Sequence, residues 1–301
     1  MGSLVRSLLF LILCSTLAIL TSCASSNSQS TQPPQPTYVF AYLHRSGIPG
    51  DYTRYELMAQ KSDGTSVTVA ATDQYISTVL GPDGQTVLFS HYVPGPGYQI
   101  ATINVNGTGV TTLGDGLYPN YTPDGSRIVY EVGDGALGIM NADGSNPTII
   151  TGVGEFCFPA TNGSIIAAGM YNGGTQGLAT MNMDGSNPQV IVGTSYSVFP
   201  AFAANGNTII FSMSSPTEQN IYSVSTNGTG LVSLTNSTTN WDPVVVGSTI
   251  YFDSIPNTTV NPTTDSNQIY SITMSGSNLT AVTDDTLYDG FKTANGLCIA
   301  P

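Results

Sequence analysis

Six short stretches each bring an aromatic side chain, and several a carboxylate, to the start of an apolar run. They are TDQYIS (72–77), GDGLYP (114–119), GEFCFP (154–159), SYSVFP (195–200), TNWDP (239–243) and TLYDGF (286–291). The aromatic residues are Tyr75, Tyr118, Phe158, Phe199, Trp241 and Tyr288, and the carboxylates are Asp115, Glu155, Asp242 and Asp289. An aromatic face beside a carboxylate suits a basic peptide segment or a sugar. The plainer reading packs the rings as wedges between structural modules or as supports for the prolines. Phe158 and Phe199, which precede proline in apolar surroundings, fit the wedge reading better. Trp241, Asp242, Tyr288 and Asp289 fit either, and they are expected to form one patch because they come from neighbouring modules.

Other chemistry is sparse. The chain has two histidines, His44 and His91, neither at metal-type spacing from a Cys, His or Glu. No G-x-S-x-G elbow, phosphate-binding loop or H-E-x-x-H is present. Both are placed near the ends of second strands, beside loops with Gly and Pro, and read as surface histidines of no special role, and no catalytic set, metal or cofactor is expected. The recurring MNADGSN lacks the spaced carboxylates and terminal glutamate of a calcium loop.

The elements that must position the aromatic residues are legible in residues 118–151, YPNYTPDGSRIVYEVGDGALGIMNADGSNPTIIT. This stretch predicts four short strands, 118–122, 127–132, 137–141 and 148–151, joined by three glycine-containing turns. The last turn recurs with its glycine at Gly64, Gly107, Gly144, Gly185, Gly228 and Gly276, at spacings of 43, 37, 41, 43 and 48 residues. A period near forty with four strands per unit indicates propeller blades, and six copies predict an all-β, six-bladed β-propeller over residues 38–301. Residues 38–44 read as a second strand lacking a first. The missing inner strand is expected at residues 287–294, so that the C-terminal segment completes the first blade and removes exposed strand edges.

The amino-terminal 22 residues carry one basic residue, Arg6, before an apolar run at 8–20 that is too short to span a bilayer. The run ends in Leu-Thr-Ser-Cys and resembles a bacterial lipoprotein signal, which implies cleavage before Cys23 and acylation of that cysteine. More than one acyl chain gives stable membrane anchoring. Residues 24–37, rich in Ser, Gln and Pro, read as a disordered tether, so the chain divides into a signal (1–22), a tether (23–37) and a propeller (38–301). Of four cysteines, Cys157 and Cys298 remain. Placed in blades that face each other across the channel, they are expected as two buried free thiols.

Only 8% of residues are charged, with 19 acidic against 6 basic side chains and a net charge of −13. Such a surface repels phosphates and argues against nucleic acid as a partner. The repeat, with its Pro-Asp-Gly turn, Ile-Val-Tyr strand and Asp-Gly-Ser-Asn turn, resembles the TolB-type six-bladed propeller. The likeness is closest in YTPDGSRIVY and IMNADGSNPTIIT, and blades four to six depart from it at the first turn. The resemblance implies the fold and an export context. TolB carries an α/β domain before its propeller, for which this chain leaves no length. The expected function is a monomeric, lipid-anchored protein of the bacterial cell envelope (outer membrane, periplasmic or surface-facing) that binds a protein or glycan without catalysis. The alternative is a polysaccharide lyase or glycan hydrolase acting at the channel mouth.

Overall fold

The computed structural model describes residues 37–45, 55–72, 74–151, 156–172, 174–194, 198–214, 219–236, 239–254, 267–283 and 289–290. They lie in one compact unit, Pro36–Pro301. The signal, Cys23 and the tether up to residue 36 fall outside the described residues.

The reason the chain forms blades is visible in one strand. Arg127–Gly133 is not an alternating strand, because Ile128, Val129 and Tyr130 are all buried. Ile128 and Tyr130 point to one side, among Leu88, Ile100 and Met140. Val129 points to the other, among Leu137, Ile139, Phe156 and Ile166. A sheet buried on both faces needs a near-continuous run of Ile, Val and Tyr, and neighbouring sheets must cover it on each side.

Six antiparallel sheets of four strands satisfy that requirement. From the inner strand outward, blade two runs Tyr75–Leu80, Thr86–Val93, Gly97–Asn104 and Thr111–Asp115. Blade three runs Leu117–Tyr121, Arg127–Gly133, Ala136–Asn141 and Thr148–Ile149. Blade four runs Phe156–Thr161, Ile165–Asn172, Thr175–Asn182 and Gln189–Gly193. Blade five runs Val198–Phe202, Thr208–Ser214, Gln219–Ser225 and Val232–Ser233. Blade six runs Asn240–Val246, Thr249–Ser254, Gln268–Thr273 and Thr280–Ala281. In blade one, Tyr38–Arg45, Tyr55–Lys61 and Ser66–Thr72 are preceded at the inner position by Asp289–Gly290. Residues 38–44 are thus a second strand, as expected. Of the proposed inner strand at 287–294, only Asp289–Gly290 lies among the described residues; it pairs with His44 and Leu43.

The recurring third turn has two functions. Asp143 accepts hydrogen bonds from the Ser145 amide and hydroxyl at 2.9 and 2.6 Å, and Asp184 does the same for Ser186. These carboxylates serve the turn itself. The glycine between them has positive φ and abuts the outer strand of the preceding blade. A Cβ on Gly107 would sit 2.6 Å from the Val69 carbonyl oxygen, and one on Gly144 2.7 Å from that of Leu113. At Gly185, with φ of 79°, it would overlap the Ile150 carbonyl oxygen. We expect Gly185→Ala to destabilise the fold by about 2–4 kcal/mol, from left-handed strain plus a backbone clash. Denaturant unfolding measures this, and an unchanged midpoint would exclude the close approach of the two blades.

Candidate functional site

The site is built from the first residues of the inner strands. A residue before proline is normally extended. Here three such residues are left-handed: Tyr118 (φ 48°), Phe158 (φ 53°) and Asp242 (φ 44°). Each lies in a register shift of its inner strand, between Leu117 and Asn120, Cys157 and Ala160, or Trp241 and Val244. A bulge of this kind re-aims a side chain at the cost of about 1–3 kcal/mol of backbone strain. In these blades it turns Tyr118, Phe158 and Asp242 into the central channel, where all three line one cavity of about 400 Å³.

The cavity runs from these residues along the inner strands towards the first turns, past Ser77, Thr78, Asn120 and Thr161. At its floor the Tyr118 and Phe158 ring centroids are 4.6 Å apart, edge to face, and Phe158 lies 4.2 Å from Phe199. Cys157 and half-buried Trp241 pack against the same group. Phe158 and Phe199 thus meet one another at the inner edge of the blades.

Behind the floor stands Glu131, on the second strand of blade three. Its carboxyl accepts the Phe158 backbone N–H, which helps hold that residue in place. Burial raises its pKa to about 7, outweighing that hydrogen bond. Its Oε2 is buried without a hydrogen-bond partner. The Tyr118 hydroxyl is pushed well up, first by burial and then by the negative charges of Glu131 and Asp242. The floor is therefore aromatic, flanked by two carboxyl groups, and solvent-poor.

The other candidates lie elsewhere. Tyr75 is buried in the core of blades one and two, its ring 5.2 Å from Phe89, and burial raises its hydroxyl to about 12. Asp115 is exposed on the outer strand of blade two, accepting from Gln99 at 3.3 Å. Asp289, 1% exposed, accepts from His44 Nδ1 at 2.6 Å. Glu155, Tyr288 and Cys23 lie outside the described residues.

Two expectations need correction. The histidines are strand residues with surroundings of their own: His44 is 19% exposed in its side chain and tied to Asp289. His91 is half-buried with Phe89 at 5.2 Å, and desolvation lowers its pKa. Both lie near the ends of second strands, as expected, but each is paired across to the inner strand, opposite Asp289 and Tyr75 respectively, instead of standing as a plain surface residue. Cys157 is not a free thiol but disulfide-bonded. The residue it bonds lies outside the described residues, as does Cys298, the other expected free thiol. Sequence reasoning missed Glu131, which has no local pattern to mark it. Among the described residues no group of three His, Cys, Asp or Glu is placed to hold a metal ion.

No protein-family model matches the sequence, nor does any curated protein. Solved structures do match in fold. A TolB-type protein of Agrobacterium tumefaciens superposes with a TM-score of 0.65 at 16% identity, over 85% of this chain and 92% of its own. TolB of Acinetobacter baumannii gives 0.68 at 14% identity, over 84% of this chain and 65% of its own. An oligogalacturonate lyase in complex with manganese gives 0.52 at 12% identity, over 83% of this chain and 74% of its own. The chain thus has the six-bladed β-propeller fold of the TolB structures.

Proposed function

We propose that this is a lipid-anchored protein of the bacterial cell envelope whose propeller binds a protein or glycan partner at its channel, without catalysing a reaction. The observation that carries the reading is the channel floor, where three strained pre-proline residues hold Tyr118, Phe158 and Asp242 against one cavity. Strain kept in three blades is characteristic of a binding or switch site. A rigid scaffold with aromatic and carboxylate groups at one end suits recognition of a basic peptide segment or a sugar. The lipoprotein-like Leu-Thr-Ser-Cys ending at Cys23 supports anchoring, and the fold shared with TolB structures supports the envelope. Asp242, which lines the cavity, and Trp241, which packs beside its aromatic floor, are the contacts we assign to the partner, with Tyr288 outside the described residues. Asp289, engaged with His44, has a structural role.

The test uses the full chain, expressed in its lipidated form, solubilised from membranes, and offered envelope extracts and a glycan array. We expect a partner to be retained, Trp241→Ala to lose it while melting like the parent, and Cys23→Ala to leave the membrane fraction. Equal retention by folded Trp241→Ala refutes the site, and a membrane-bound Cys23→Ala refutes the anchor. One observation favours the lyase or hydrolase reading: a carboxyl held near pH 7 fits a general acid. Glu131 does not line the cavity, however, so it is not placed to reach a substrate there. Turnover of a polysaccharide in the same array would reverse the preference.

A further inference from the structure

We infer that the exposed tyrosine pair Tyr92–Tyr98, on the hairpin between the second and third strands of blade two, is a stacking site for a neutral glycan chain. This rests on the reading of this end of the propeller as the binding face, and it names what binds there.

The backbone places the pair at that face. The Gly116 amide donates to the Tyr98 carbonyl at 3.0 Å, which ties the hairpin to the segment that enters blade three at Tyr118. Tyr98 is also one of the groups whose charge acts on the Tyr118 hydroxyl. Tyr92 and Tyr98 are directly opposite in the ladder, and their ring centroids lie 5.4 Å apart, edge to face. They are 40% and 47% exposed, whereas Tyr75 and Phe89 of the same blade are buried. In an edge-to-face pair each ring keeps at least one face clear of the other. The approach is open as well, since a Cβ on Gly95 or Gly97 would meet nothing within 4 Å. Pro94 and Pro96 stiffen the connection, so the rings are ordered beforehand and binding costs little entropy.

Three features select the ligand. Residues 92–98, YVPGPGY, carry no charged side chain, so the contact is not an ion pair. The backbone is already engaged: the Tyr92 amide donates to the Gln74 carbonyl at 2.9 Å, Tyr98 accepts from Gly116, and the two prolines have no N–H. A peptide therefore finds no strand edge to extend here. Among the described residues no hydrogen bond engages either tyrosine hydroxyl. Rings that can pack on the C–H faces of a pyranose, with hydroxyls left to meet its hydroxyls, suit a sugar. The chain's net charge of −13 repels polyanions, which leaves neutral glycans. Blade four supplies an internal comparison. Its second strand carries Tyr171, 37% exposed and without a ring partner among the described residues.

The experiment measures, by calorimetry, binding of the solubilised full chain to cellohexaose, maltohexaose, xylohexaose and the hexamer of N-acetylglucosamine, with the anionic hexamer of galacturonate beside them. We expect at least one neutral hexasaccharide to bind and the galacturonate not to. Tyr92→Ala and Tyr98→Ala should each melt like the parent, because both side chains are exposed, and weaken binding roughly tenfold or more. Tyr98→Phe, which keeps the ring, should cost about threefold at most, and Tyr171→Ala nothing. No binding of any neutral probe by folded protein, tighter binding of the galacturonate, wild-type affinity in both alanine variants, or an equal loss in Tyr171→Ala would overturn the inference. If it fails while Trp241→Ala still loses an envelope partner, the broader reading stands. A glycan held by the tyrosine pair, with every partner retained by Trp241→Ala, would uphold the inference and refute the channel floor as the site.

Discussion

Removal of residues 287–301 abolishes cooperative unfolding. Within this segment Asp289–Gly290 occupies the inner position of blade one, in register with His44 and Leu43. It ties two blades together: the Asp289 amide donates to the Asn267 carbonyl of blade six at 2.8 Å, and its carboxylate accepts from His44 of blade one at 2.6 Å. Losing Asp289 takes away the carboxylate that accepts from the His44 ring, a charge-assisted bond that contributes about 1.5–3 kcal/mol. If the closing strand also buries about four apolar side chains at ~1.5–3 kcal/mol each, it contributes roughly 6–12 kcal/mol more. The stability of a whole domain is only ~5–15 kcal/mol. A broad, featureless thermal transition is therefore expected from the truncated chain by circular dichroism. A sharp melt near the full-length midpoint would refute this role for the segment. Asp289→Ala, with the strand retained, should still melt cooperatively but lower.

The contrast between what the sequence disclosed and what it hid follows from the range of the forces. Pro-Asp-Gly and Asp-Gly-Ser-Asn are local: the Asp143 carboxylate satisfies an amide two residues on, and Gly144 adopts a φ of 83° because it lacks a Cβ. Such turns can be counted in the chain, so the six sheets and nearly every strand of blade three were legible. The site is not local. Glu131 draws its character from burial and from the Phe158 N–H of the next blade, and it acts with Asp242 of blade six on the Tyr118 hydroxyl. The His44–Asp289 bond joins residues 245 positions apart. The left-handed Tyr118, Phe158 and Asp242 oppose the usual preference before proline, so only packing in the assembled ring can impose them. The Tyr-Pro, Phe-Pro and Asp-Pro pairs at matching places were the one available signal, and they disclosed that something recurred there without disclosing its geometry.

Glu131→Gln flattens the stability profile of the propeller between about pH 4.5 and pH 7. Burial raises the folded carboxyl from 4.5 to about 7, so the folded state holds this proton where the unfolded chain has released it. A raised folded pKa contributes stability that is fully present below the unfolded value and is lost as pH rises through the folded one. Wild-type protein should therefore lose about 3 kcal/mol from this group across the window and nothing further from it above about pH 7. Glutamine can still accept the Phe158 N–H but carries no charge, so the variant should match wild type near pH 4 and exceed it by about 3 kcal/mol at pH 8. Urea unfolding at the two values measures the difference; parallel profiles would show that Glu131 ionises freely and that the floor is wetter than its burial implies.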